Sequence, residues 1–523
     1  MADDQTTALT RAARLVAALQ ARWGAAVIET HISWVLLDGQ RAWKIKKPVR
    51  LPFLDATDLA VRRHWCEEEL RLNSRLAPGL YLDVVPIGGT PAEPCVGGSG
   101  PVIEYALRMR QFAPGALLVE RLRAGQLQPI ELDQLACRLA AFHRHAAVAA
   151  AETPYGEPVV IERAAMQALE NLARLTSDPA CDRLRVWLHE QAAALRPLWA
   201  QRKAQGKVVE GHGDLHLANT VWLDGEITAF DCIEFDPALR WIDVQNDIAF
   251  TMMDLLAHRR EGWAWRFLSA YLDDSGDHAG VPTLRFYLVY RALVRALVGR
   301  MQEQGGGAAA AGPDYWGLAR RLIEPPDPRL LITHGVSGSG KSRWAAGLIE
   351  QAQAVRLRSD VERKRLAGLP ADADSFALVP GGIYQPDMTR RTYAHLRQQA
   401  ELALRSGWRV IVDAAFLRRH ERDEFRALAR ELGVPFAVLH CHAPPAVLTE
   451  RVQARRARGD DPSEADVAVL RRQLAEGESL QADEWPDVLD ANTSEPNEAG
   501  RLEQLAAKWL AAPRPDAHSD RSK

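Results

Sequence analysis

The stretch GVSGSGKS, Gly335 to Ser342, constrains this chain more than any other feature. It fits GxxxxGK[ST] throughout, with the apolar run LLITH before it and the helix-forming run RWAAGLIEQ after it. That order predicts a strand, a tight loop and a helix N-terminus, where backbone N–H groups converge on phosphate oxygens. Gly335, Val336, Ser337, Gly338, Ser339, Gly340, Lys341 and Ser342 are therefore expected to bind the phosphates of ATP. Lys341 would reach the β- and γ-phosphates, and Ser342 would ligate Mg²⁺.

The surrounding sequence extends this reading. After the break EPPDP (324–328), the apolar runs LLITHGV, AVRLRSD, RVIVDAAF, FAVLHCHA and DVLDAN alternate with helical stretches. This predicts a parallel sheet with crossover helices. Asp413 ends RVIVD, a position suited to the Mg²⁺ shell. Asp360 is expected to close the strand VRLRSD at the carboxyl edge of the sheet, where ligands bind in open α/β folds. There it would accept a proton from a substrate hydroxyl, or alternatively cap the next helix beside Arg363. Arg451, Arg455 and Arg458 share one helix face, as a clamp on transferring phosphates or as a solvated charged surface. Asn492 and Thr493 are lesser candidates for adenine or ribose contacts.

A second motif lies upstream. HGDLHLAN (212–219) is followed by Asp231 in TAFD, with the phrases VVEGHGD, TVWLDG and ITAFD reading as short strands around a loop. A kinase-type phosphoryl-transfer site needs a catalytic Asp, an Asn five residues on that binds metal, and a later metal-binding Asp. Asp214, Asn219 and Asp231 have those types in that order. Such a site also needs a lysine on the phosphates and a helix glutamate to pair with it. RAWKIKKPV offers Lys44, Lys46 and Lys47; strand alternation points Lys44 and Lys46 the same way, so spacing does not separate them. Lys44 with Glu69 is the favoured pair, Glu68 the second choice for the acid, and two solvated charged faces the alternative.

The 523 residues exceed a single core and predict more than one domain. Strand-like phrases dominate before Leu117, and helical patterning follows on both sides of 208–231. Lys plus Arg total 65 against 68 Asp plus Glu, a net charge of −3 that argues against a general nucleic-acid-binding field. Six scattered cysteines without a CxxC pair suit a reducing cytoplasm. MADDQTTALT lacks a signal-peptide pattern, and no apolar run is long enough to span a membrane.

Residues 329–510 resemble the small P-loop kinases of the gluconate-kinase and zeta-toxin type, grouped with AAA-family ATP-binding proteins. The resemblance rests on GVSGSGKS, RSDVERKRLAG, GIYQPDMTRRTY, VIVDAAFL and ERVQARRARGDDPSEA. The helical lid, sensor and arginine-finger motifs of AAA machines are not found. Residues 25–300 resemble the aminoglycoside phosphotransferase family, relatives of the protein kinases, through HGDLHLAN and FDCIEFD. That resemblance implies Asp214 as catalytic base and Asn219 and Asp231 as Mg²⁺ ligands, with His212 and Asp243 supporting the loop; His216, a lone histidine without further ligand partners, is expected to pack the loop rather than ligate metal. HGD replaces HRD, DCI replaces DFG, GxGxxG and APE are missing, and Ser33 stands where a Gly-rich turn belongs. A protein substrate is therefore disfavoured. The whole chain resembles fusions of these two modules.

The expected fold is an α+β protein-kinase-like bilobal domain (11–322), an α/β P-loop NTPase domain with a parallel sheet (329–510), and a disordered tail (511–523). The expected activity is a cytoplasmic, bifunctional ATP-dependent phosphotransferase acting on a small-molecule hydroxyl. A nucleic-acid end kinase, using RLRSDVERKR and the 451–458 arginines, is one alternative. An ATP-binding regulator, with one domain controlling the other, is the second. An aminoglycoside acceptor would call for local acidity, offered by Glu234, Asp236, Asp243 and Asp247.

Overall fold

Alternation along the strand Arg41–Lys46 organises the first half of the structure, a computed structural model. It describes residues 2–51, 54–98, 100–304, 312–370, 373, 383, 385–458, 463, 465–495 and 498–514. Trp43 and Ile45 point to one face, where they pack with Leu15 and Leu19 of the helix Ala2–Trp23. Ala42 points to the other, toward Cys66 and Leu70 of the helix Leu59–Asn73. Lys44 and Lys46 share that second face.

This strand is β3 of an antiparallel sheet. Its companions are β1 (Ala26–Glu29), β2 (Ser33–Leu37), β4 (Tyr81–Gly89), β5 (Pro94–Val96) and β6 (Val102–Arg110). Their order is β1-β2-β3-β6-β4-β5. Gly39, at φ +95°, turns β2 into β3, as the Asp38-Gly39 pair predicts. Further on, β7 (Val208–Glu210) pairs with β10 (Trp241–Asp243), and β8 (Thr220–Leu223) pairs with β9 (Glu226–Ala229). These two ribbons frame the HGDLHLAN loop.

A five-stranded parallel sheet forms the later half, in the order β12-β13-β11-β14-β15. Its strands are β11 (Leu330–His334), β12 (Ala354–Arg358), β13 (Arg409–Asp413), β14 (Phe436–His442) and β15 (Val488–Asn492). Leu331, Ile411, Leu439 and Leu489 pack with Trp344 and Leu348 from the helix Lys341–Ala352, and with Trp509 from the helix Glu498–Ala511. Each such large apolar side chain contributes roughly 1.5–3 kcal/mol through burial.

The chain forms two compact units that do not coincide with the sequence ranges 11–322 and 329–510. The first comprises 1–138, 142–163 and 196–251; the second comprises 139–141, 164–195 and 252–523. Helices after residue 252 join the parallel sheet for a packing reason. Trp408, just before β13, meets Trp265 edge-on at 5.2 Å, stacks under the Arg285 guanidinium at 4.4 Å, and donates to Val281 O at 3.2 Å. The first unit is mixed α/β. Of the low-complexity stretch 302–314, residues 305–311 lie outside the described residues, as do 515–523 of the expected tail and most of 371–384. Within the expected tail, Ala511 instead closes the last helix.

Candidate functional site

Two constellations emerge, one in each unit. In the first, Lys44 Nζ lies 2.7 Å from Glu69 Oε1 and 2.5 Å from Asp231 Oδ1. Lys46 Nζ donates to the other Glu69 oxygen at 2.7 Å and also pairs with Glu234. The two lysines that spacing does not separate thus meet one carboxylate. Glu68 instead pairs with Arg71 and Arg240. Burial acts to lower the Lys44 pKa, but Asp231 and Glu69 outweigh it and hold the ammonium well above its ordinary range. Burial likewise acts to raise Glu69, yet Lys44 and Lys46 prevail and bring it down to about 2.

Asp231 occupies a left-handed turn, φ +64°, uncommon for a residue with a side chain. Two contacts hold the turn: Asp231 N–H donates to Tyr81 Oη at 3.1 Å, and Cys232 N–H donates to Asn73 Oδ1 at 2.9 Å. Asp214 belongs to the loop opposite. Asn219 Nδ2 donates to both Asp214 O and Asp214 Oδ2, each at 2.9 Å. His212 joins the two segments, with Nε2–H donating to Phe230 O at 2.9 Å and Nδ1 accepting from Asp214 N–H at 3.3 Å. Burial pushes the His212 pKa down, in keeping with the neutral ring those bonds require. His216 packs edge-on against Phe250 and lies 3.4 Å from Asp214 Oδ2.

Asp247 is the brace that spacing does not reveal. It accepts from His212 N–H at 2.8 Å, Gly213 N–H at 2.9 Å and His143 Nε2 at 3.0 Å. Asp243, expected to support the loop, is instead engaged by Arg202 at 2.7 and 2.8 Å. Glu234 pairs with Lys46, so of the acids expected to meet a polycation only Asp236, which caps a helix at Ala238, lacks a described side-chain cation or His partner. Lys44, Asp214 and Asp231 line the polar end of a cleft of ≈ 540 Å³. Ile28, Val35, Ala42, Met109 and Phe230 supply apolar walls. Its size and mixed lining suit a small ligand with a flat apolar part and a charged end.

The second constellation surrounds the phosphate loop. Gly335 adopts φ +145°, and a Cβ there would lie 2.3 Å from Cys441 O. Only glycine fits. Lys341 Nζ donates back to Val336 O at 2.9 Å, and Ser342 Oγ donates to Asp413 Oδ1 at 3.2 Å. Burial pulls the Lys341 pKa down, against the nearby carboxylate of Asp413, and burial pushes Asp413 up. Asp413 Oδ2 is buried without a hydrogen-bond partner. A hydroxyl, a carboxylate and that bare oxygen fit a hard divalent cation such as Mg²⁺. In the first unit, the oxygen donors of Asn219 and Asp231 are of the same chemical class.

Asp360 does not close a strand: β12 ends at Arg358, and Asp360 lies in the first turn of the helix Ser359–Leu366. Its two-residue offset follows from Ser359 entering helical geometry early. Arg451, on the helix Pro445–Arg458, donates to Thr493 Oγ1 and O at 2.8 Å and to Gly338 O at 3.4 Å. Thr493 Oγ1 donates to Ser339 O at 2.9 Å. Arg455 donates to Ala465 O at 2.9 Å. Gln473 accepts from the loop amide of Ser337 at 2.7 Å, a contact without a sequence signal. Asn492 bonds Glu495. The basic run RLRSDVERKR offers little free charge. Asp273 engages Arg356 at 3.0 Å and Arg358 at 3.3 Å, Arg365 pairs with Glu362, and Arg363 and Lys364 are buried.

Residues 330–480 match the model of a family described as AAA domain. The uncharacterized proteins Rv2004c of Mycobacterium tuberculosis and Mb2027c of Mycobacterium bovis are each 32% identical over 454 residues, covering 84% of this chain and 88% of theirs. Among solved structures, a sugar kinase from Janibacter is 22% identical with a TM-score of 0.27, covering 35% of this chain and 94% of its own. A gluconokinase from Sinorhizobium meliloti is 22% identical with a TM-score of 0.26, covering 36% and 93%. Among the described residues, no helix is long and apolar enough to cross a membrane.

Proposed function

The chain belongs to the family of these mycobacterial proteins, and from that premise we propose an ATP-dependent phosphotransferase with two nucleotide sites. One is a kinase-like cleft of the aminoglycoside phosphotransferase type, and the other is the phosphate loop. The observation that carries the reading is the Lys44 ammonium, held between Glu69 at 2.7 Å and Asp231 at 2.5 Å at the polar end of the cleft. A lysine fixed by a helix carboxylate and facing a loop carboxylate is the arrangement of a protein-kinase-type phosphoryl-transfer site.

In the cleft, the apolar walls take the base of ATP and Lys44 takes its phosphates. Asp214, oriented by the Asn219 amide, accepts the proton of a small-molecule hydroxyl as that oxygen bonds to the γ-phosphorus and the bond to the β–γ bridging oxygen breaks. Asn219 and Asp231 would hold Mg²⁺ here, and Ser342 with Asp413 in the other unit; bound Mg²⁺ neutralises phosphate charge. At the phosphate loop, Lys341 exchanges Val336 O for phosphate oxygens, Arg451 and Arg455 lie on the lid helix, and Asp360 is the candidate base.

A second reading has one site regulate the other. The test is ATP consumption over sugars, nucleosides, aminoglycosides and RNA ends, comparing wild type with Asp214→Ala and Lys341→Ala. Loss with each variant supports two working sites, and loss with one alone favours the regulatory reading. Activity unaffected by either contradicts both.

A further inference from the structure

Three histidines and an aspartate lie on one face of the parallel sheet. His334 on β11 is in register with His440 on β14, and His440 with Asp490 on β15. His442, two residues beyond His440, points to the same side. His442 Nε2 lies 3.2 Å from Asp490 Oδ1 and 3.3 Å from Oδ2. Donor atoms of His440, His442 and Asp490 all fall within 4.8 Å of one another.

We propose that His440, His442 and Asp490 form a binding site for a divalent transition-metal ion of the zinc class, on the sheet face opposite the one that packs the helix Lys341–Ala352. Two ligands about 2.0–2.1 Å from a tetrahedral metal are roughly 3.3 Å apart, the separation His442 and Asp490 already have. An ion pair would explain those two residues alone. It does not explain His440, whose ring stacks on His442 at 5.1 Å and whose Nδ1 is committed to His334 Nδ1 at 2.8 Å. That bond leaves Nε2 as the atom His440 offers. A ligating histidine is oriented in just this manner, by a partner on its other nitrogen. The partner here is buried His334, so the orientation is built into the sheet.

The site is half open. Trp485 covers His440 edge-on at 6.3 Å, while the side chains of His442 and Asp490 remain 42% and 52% exposed. Two imidazoles and one carboxylate leave a fourth position for water or an exogenous ligand. Imidazole and carboxylate together select zinc-like ions over Mg²⁺, which prefers oxygen alone.

Co²⁺ serves as the probe, because its visible absorption reports coordination directly. The full-length protein, saturated with Mg²⁺ and a non-hydrolysable ATP analogue to occupy the phosphate sites, is titrated with Co²⁺. The expected result is one bound Co²⁺ with four-coordinate absorption, abolished in His440→Gln/His442→Gln and in Asp490→Asn. His334→Ala should weaken binding by ~10–100-fold, as loss of an orienting partner does. Matched melting temperatures show that the variants fold. Co²⁺ uptake and spectrum identical in wild type and the His440→Gln/His442→Gln variant would overturn the proposal.

Discussion

Lys44 and Asp231 are 187 positions apart in the chain and 2.5 Å apart in space. The contact joins β3 to the turn after β9, and it places a cation where phosphate charge would be received. Lys44→Met is predicted to lower kcat/KM for the cleft reaction by ~10²–10³-fold, the scale of losing one preorganised charged donor. Steady-state kinetics on whichever acceptor the cleft phosphorylates checks this. Unchanged kinetics would remove Lys44 from the site.

Lys46 has a different task. It is 3% exposed and lies between the carboxylates of Glu69 and Glu234. Removing it leaves two buried acids without their shared cation. Lys46→Met is predicted to cost about 3–5 kcal/mol of stability in urea denaturation, with partial recovery on adding Glu234→Gln. A neutral effect would mean water already compensates those acids.

Acid should reveal the same network. Glu69 is brought from its ordinary 4.5 down to about 2, because the two lysines outweigh the effect of burial. A depressed folded-state pKa contributes stability that is fully present above 4.5 and lost as pH falls from there toward 2. Urea midpoints measured from pH 6 to pH 3 should therefore fall more steeply in wild type than in Glu69→Gln. Parallel slopes would contradict the assignment.

Asp247 gathers the backbone N–H groups of His212 and Gly213 onto one carboxylate. Asp247→Asn keeps the shape but presents an amide that cannot accept all of these bonds. The HGDLHLAN loop that carries Asp214 should shift, lowering kcat by ~10–100-fold with a smaller change in KM for ATP, on the proposal that Lys44 holds the nucleotide. A pure KM effect would place Asp247 outside loop positioning.

The phosphate loop was legible because its sequence carries both the ligand geometry and its flanks: glycines at the turns, an apolar run before and a helix former after. Lys44 and Lys46 were legible only as a pair, since period-two alternation sends both toward the same helix and only three-dimensional packing assigns their partners. Asp247 was illegible for another reason. It reads as one more acid among Asp236 and Asp243, and its role arises from a fold that brings it 34 positions back onto the loop. The grouping of helices after residue 252 with the parallel sheet was equally hidden. Apolar helix faces such as that bearing Trp265 do not declare which sheet they cover until Trp408 meets them.

Two nucleotide sites in one chain is the claim on which the rest depends. Equilibrium dialysis with a labelled, non-hydrolysable ATP analogue and Mg²⁺ measures it without knowledge of either acceptor. Two analogue molecules should bind per wild-type chain, one per chain of Lys44→Met and one per chain of Lys341→Ala. A stoichiometry of one in wild type, abolished entirely by either substitution alone, would contradict the account.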